Sequence, residues 1–138
     1  VSPELEKKLT EKYPELYDYK SEDGKSSDIS YYGFSHGDGW FNIIDCLSAT
    51  ITDIMRNHPG RKHLTQAEFD ETVQVRVAQV KEKFGTLRFY VDNGNREVGA
   101  AIQLAESLSA RTCESCGSPG RTRSGGWIKT LCDECEKN

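Results

Sequence analysis

Residues 113–135 read CESCGSPGRTRSGGWIKTLCDEC. Two C-x-x-C pairs, Cys113/Cys116 and Cys132/Cys135, stand fifteen residues apart. Four thiolates at this spacing close a tetrahedral site around one Zn²⁺. Each pair occupies a tight turn that aims both sulfurs at a common centre, and the residues between suffice for a short returning hairpin. Gly117 follows the first pair, where the chain turns sharply and a positive φ is costly for other residues. The competing readings are a disulfide pair, a redox C-x-x-C or chance. A thioredoxin-type site needs one pair opening a helix in a βαβ setting, which two spaced pairs fit poorly. A filled Cys₄ site has no open position, so it argues for architecture more than for catalysis.

Outward from this module the chain is 138 residues long, the size of one ordinary domain. It has no long apolar run, which excludes a transmembrane helix and a membrane partner, and no signal peptide is visible. Four of the five cysteines stand in the metal pattern, which fits a reducing, cytoplasmic compartment. The net charge is −4 but uneven: residues 1–45 hold ten acidic and five basic side chains, and residues 110–138 hold four and five. Overall acidity weighs against strong non-specific binding of nucleic acid.

Hydrophobic period and punctuation divide the rest. Ser2-Pro3 reads as a helix cap and first turn, with Pro14 ending that helix. Residues 20–28 read as a loop. Its Gly24-Lys25-Ser26 lacks the upstream glycine of a phosphate loop, because Tyr19 stands there. Tyr31, Tyr32 and Phe34 read as extended. Gly37-Asp38-Gly39 turns into a helix over about Trp40 to Asn57, closed by Pro59-Gly60. Thr65 and Glu68 form a capping box, with Leu64 and Phe69 as its staple. Val73, Val75 and Val77 alternate as a strand whose phase slips near Ala78, which predicts a bulge. Leu87, Phe89 and Val91 give a second strand, with the turn at Phe84-Gly85. A helix follows the Asn95 region and buries Val98, Ile102, Ala105 and Leu108. The expected fold is α+β: an α+β core over 1–110 on a small antiparallel sheet, with a zinc ribbon over 111–138. No flexible linker precedes Arg111-Thr112, so the ribbon is expected to dock on the core.

Four phrases now join in order: Gly37-Asp38-Gly39-Trp40-Phe41, residues 79–90 (QVKEKFGTLRFY), Ala105-Glu106-Ser107, and the two C-x-x-C pairs with Gly126-Trp127-Ile128-Lys129-Thr130-Leu131. Together they resemble a family of small proteins encoded by bacteriophages and prophages, over roughly residues 36–135. The family has no assigned activity. The resemblance implies a phage-related origin, a zinc-ribbon end and a bacterial host cytoplasm, and it carries over no catalytic residue. In similar sequences the last ligand is often followed or replaced by His, whereas this chain has Cys135 there.

Trp127 has Arg121, Arg123 and Lys129 as neighbours. An aromatic ring among cations can stack on a base and neutralise phosphates. The plainer reading packs Trp127 over the zinc site or against the core. An enzyme reading would pair Cys46 with His36, beside Asp38 and Asp45. Asp38 is better read as a helix cap and Cys46 as a half-buried small residue, and the loop of His58, Arg61, Lys62 and His63 as solvated surface. Lys81 and Lys83 extend a basic face only if strand register aligns them with Arg76 and Arg88. The expectation is therefore a non-enzymatic protein that binds a host macromolecule, first a host protein, through its acidic N-terminal third (Glu22, Asp23, Asp28). The alternatives are nucleic-acid binding by the ribbon, and a small hydrolase or transferase using Cys46 or nearby carboxylates.

Overall fold

Ser2 and Pro3 open the first helix as their chemistry requires: the Ser2 hydroxyl accepts from the Leu5 N–H, and Pro3 sacrifices an N–H that a first turn leaves unbonded. The structure, a computed structural model, describes residues 1–20 and 27–138. Helix α1 (Pro3–Lys12) breaks at Tyr13, and α2 (Pro14–Tyr17) restarts on the proline. Of the expected loop, residues 21–26, including Gly24-Lys25-Ser26, lie outside the described residues. Its end is helical, because Ser27 caps α3 (Asp28–Tyr32). Tyr31 and Tyr32 are thus helical, not extended, and only Phe34–Ser35 forms a strand, β1. The Ser27 cap and Gly33, at φ 72 past the last turn, outweigh the aromatic pattern.

A 3₁₀ turn over Asp38–Trp40 leads into α4 (Phe41–Arg56), whose Ile44, Leu47, Ile51 and Met55 are buried at helical spacing. The Thr65–Glu68 capping box opens α5 (Gln66–Thr72). Val73 caps that helix and does not start the strand, which is β2 (Arg76–Lys83). The register of β2 against β3 (Thr86–Asp92) shifts between Val77 and Gln79, where the valine phase predicts it. The expected solvated loop is partly packed: the Arg61 guanidinium lies 3.6 Å from the Phe69 ring centre, and His58 Nδ1 accepts from the Gly60 N–H.

The sheet has the order β1-β2-β3, with β1 parallel and β3 antiparallel to β2. It is therefore mixed, where a purely antiparallel one was expected. Val77, Val80, Leu87 and Phe89 are buried and join the helices in one apolar core. β3 is an edge strand, and α6 (Arg96–Ser109) covers that edge. Ser109 Oγ accepts from the Leu87 N–H and Glu106 from the Phe89 N–H, so the edge offers no free ladder there. Asn95 caps α6 as expected, but Leu108 is 46% exposed, and Ser109 takes the buried position. These elements make the fold α+β.

The C-terminal module carries the hairpin β4 (Arg121–Arg123) and β5 (Lys129–Leu131), then the short helix α7 (Asp133–Glu136). It meets the turn before α4 at very close range. A β-carbon at Gly39 would stand 2.1 Å from the Cys113 carbonyl oxygen, and one at Gly37 2.4 Å from that of Glu114. Gly39→Ala should lower stability by about 2 kcal/mol or more, because backbone must move to admit the methyl group. Gly99→Ala on α6, where a β-carbon meets nothing within 4 Å, should raise it by about 1 kcal/mol. Urea unfolding of both variants measures the contrast, and equal effects would contradict the packing.

Candidate metal centre

The cluster is built by two turns of different kinds. Gly117, at φ 84, lets its N–H return to the Cys113 carbonyl at 2.9 Å and closes the first C-x-x-C. Cys132 caps α7, its sulfur accepting from the Cys135 N–H at 3.4 Å. The β4–β5 hairpin brings the turns together, and all four sulfurs lie within 4.8 Å of one another. Cys116 and Cys132 Sγ are 3.6 Å apart. Sulfurs on a tetrahedron with bonds of about 2.3 Å to its centre stand about 3.8 Å from each other, so this donor set fits a four-coordinate metal ion. None of the five cysteines is joined to another in this structure, and the four sulfurs gather around one centre rather than in two separate pairs.

Electrostatics points the same way. Hydrogen bonds from the Ser118 side chain and backbone pull the Cys116 thiol down to about 6, whereas the neighbouring sulfurs push Cys135 up to about 12. Crowded sulfurs therefore resist successive ionisation, and a cation among them removes that resistance.

Glu114, inside the first C-x-x-C, joins the module to the core. Its side chain is 5% exposed, and its Oε2 accepts from the Gly37 N–H at 2.9 Å. Its carbonyl accepts from the Gly39 N–H at 2.7 Å, and its own N–H donates to Thr130. Beside it, the Trp40 indole N–H donates to the Thr112 carbonyl. On the far side of the hairpin, the Thr130 hydroxyl donates to the Gly85 carbonyl at 2.6 Å. Spacing alone does not single out Glu114; the signal was a carboxylate locked between two metal-type cysteines.

The basic candidates divide. Arg123 is 9% exposed and is not a free phosphate ligand. It donates twice to the Leu131 carbonyl and pairs with Asp133 at 2.8 Å and Glu136 at 2.5 Å, tying β4 to α7. Lys129 faces Glu114 at 3.6 Å. Arg121 is exposed. Trp127 is 77% exposed, so it neither covers the cysteines nor packs on the core.

Cys46 and His36 are not brought together, although Asp38 lines the same groove as Cys46. Cys46 is exposed, not half-buried, and lines a groove of about 670 Å³ between α4 and α6, with Phe41, Leu104 and Leu108. His36 is buried beside Trp40 and lines a different cleft, with Glu82, Glu114 and Lys129. Asp38 does not cap the helix that follows it; it accepts from the Ser2 N–H across the fold. Asp45 is held by Lys12 and the Tyr13 hydroxyl. Among known proteins no family model, curated protein or solved structure matches the chain.

Burial pushes the His36 imidazole down to about 4, while Nδ1–H donates to the Gly37 carbonyl. Native His36 is thus neutral where the unfolded chain takes up a proton, below about 6.5. Its contribution to stability is complete above that value and is lost as pH falls toward 4. The stability difference between the wild type and His36→Phe should shrink by about 1.4 kcal/mol from pH 7.5 to 5.5. Urea titrations at the two pH values test this, and a constant difference would contradict a neutral buried His36.

Proposed function

We propose that Cys113, Cys116, Cys132 and Cys135 hold one structural Zn²⁺, and that the protein is a non-enzymatic accessory protein, of phage or prophage type, that binds a macromolecule. The single observation that carries this is the closed sulfur cluster, all four donors within 4.8 Å, built into the junction with the core. Four thiolates suit Zn²⁺ among the available divalent ions, and four protein ligands leave no position for a substrate. Cys46 and His36 line different clefts, so the pair that an enzyme reading would use as nucleophile and base is not assembled between them.

The expected host-protein partner rested on acidic residues of the N-terminal third. Glu22 and Asp23 lie outside the described residues, and Asp28 is half-buried in the first turn of α3. The α1 surface mixes signs, with Lys7 and Glu11 paired at 3.7 Å. Among the described residues, among which no helix is long and apolar enough to cross a membrane, a more distinctive surface is the exposed ring of Trp127 beside the sheet.

Freshly purified, reduced protein should carry one zinc per chain by elemental analysis, and Cys116→Ser with Cys132→Ser should abolish it. Chelation should raise hydrogen exchange over 113–135 and also over 37–40, because Gly37 and Gly39 bond to Glu114. Metal-free wild-type protein would overturn the reading, and unchanged exchange at 37–40 would separate the metal from the core.

A further inference from the structure

The strand register decides a question that parity along the sequence leaves open. Gln79 pairs with Tyr90, Lys81 with Arg88, and Lys83 with Thr86. These pairs alternate with Val80–Phe89 and Glu82–Leu87, whose Val80, Phe89 and Leu87 are buried. Side chains two residues apart share a face, so Lys81, Lys83, Arg88 and Tyr90 stand together on the face away from the core. Across these three pairs there are three cations and no carboxylate. None of the three forms an ion pair with a described residue. Arg76 does not join them, being held over the Tyr19 ring and beside Asp70.

Aromatic rings lie among these cations. Tyr90 is 45% exposed with Lys81 Nζ 5.9 Å from its centre, and Phe84, at the hairpin tip, is 66% exposed with Lys83 Nζ at 5.6 Å. The tip abuts the cysteine module: a β-carbon at Gly85 would stand 3.3 Å from Ile128, the residue after Trp127. The face thus runs from the Gln79–Tyr90 pair to Phe84 at the tip, about 16 Å at strand rise, with the β4–β5 hairpin abutting that tip.

We infer that this face binds single-stranded nucleic acid, with Lys81, Lys83 and Arg88 on the phosphates and Tyr90, Phe84 and Trp127 stacking on bases. The inference rests on the reading of the protein as a macromolecule binder and names the partner. Among the described residues Lys81, Lys83 and Arg88 have no ion-pair partner, and although the Arg88 Nε itself is buried, three cations within three strand pairs form a local field that attracts a polyanion. Rings lying open in water among cations suit bases, whose π-faces a duplex keeps stacked on one another. An acidic protein would satisfy the cations, but nothing in its charge calls for three open rings.

The test is fluorescence anisotropy of zinc-loaded protein with labelled dT20 and with a duplex of equal length, over a series of salt concentrations. Binding to dT20 should exceed that to the duplex, with a log–log salt slope near −2 for three phosphate contacts. Lys81→Gln with Lys83→Gln should flatten the slope to about −0.7, whereas Lys81→Arg with Lys83→Arg should preserve it. Trp127→Ala and Tyr90→Ala should each weaken binding roughly tenfold with little change in slope. Zinc content and urea midpoint identify any variant that misfolds, and the arginine pair keeps the test decisive if the glutamine pair does. Equal binding of duplex, or indifference to both ring variants, would overturn the inference. So would absence of dT20 binding; zinc-dependent capture of a protein partner would then leave the broader reading standing, and failure of both would remove both.

Discussion

The fold depends on how closely the first C-x-x-C loop approaches the turn before α4. Glu114 bonds that turn twice, through its carboxylate and its carbonyl, and no side chain fits between the two backbones. Glycine at 37 and 39 is therefore a requirement of contact, not of backbone angle: neither has a positive φ, and each would drive a β-carbon into a carbonyl oxygen. Trp40 follows at once, fully buried, and its indole N–H finds the Thr112 carbonyl. One short segment thus begins the long helix, anchors a large core residue and receives the cysteine module. A buried carboxylate is costly unless its oxygens are bonded; here Oε2 accepts from a backbone N–H, while Oε1 has no hydrogen bond and only the Lys129 ammonium at 3.6 Å faces it.

This contact explains why separate phrases of the sequence occur together. Gly37-Asp38-Gly39-Trp40 and Cys113-Glu114-Ser115-Cys116 are the two sides of one interface. The hairpin turn at Gly85 and the Thr130 of the β4–β5 hairpin form a second. Glu106 and Ser109 cover the edge of β3. These stretches of sequence are then residues that the packing of a small module against a small sheet requires.

Much of this was legible in residue order, where the signal is local. Ser2, Thr65 and Asn95 announce their helices because capping joins a side chain to an N–H a few residues away. The valine phase slip announces its bulge for the same reason. The cysteine spacing is legible because a metal-type turn is a local object. What was hidden depends on register and on tertiary neighbours. β1 pairs in parallel with a strand some 45 residues on, and two residues carry no periodic signal. Arg123 reads as one more exposed cation until α7 folds back to place Asp133 and Glu136 on it. Trp127 reads as core or as a cover for the cysteines by its size, yet its ring stands in solvent at the end of the turn before β5.

The same geometry joins a closed sulfur site to an open surface. A metal ion held by all four cysteines would have no open position for a substrate, but it would fix the angle between the two turns that flank the β4–β5 hairpin. β5 holds Thr130, whose hydroxyl grips the Gly85 carbonyl at the tip of the core hairpin. Phe84 lies just before that grip and Trp127 just before β5, and both rings are exposed. A hairpin of three-residue strands is too short to hold such a tip in water by its own ladder. Ordering two exposed rings in advance of binding spares the entropy that loose loops lose on capture. An ion in the cysteine cluster would contribute rigidity where apolar burial is scarce, beside the tip at which Phe84 is exposed.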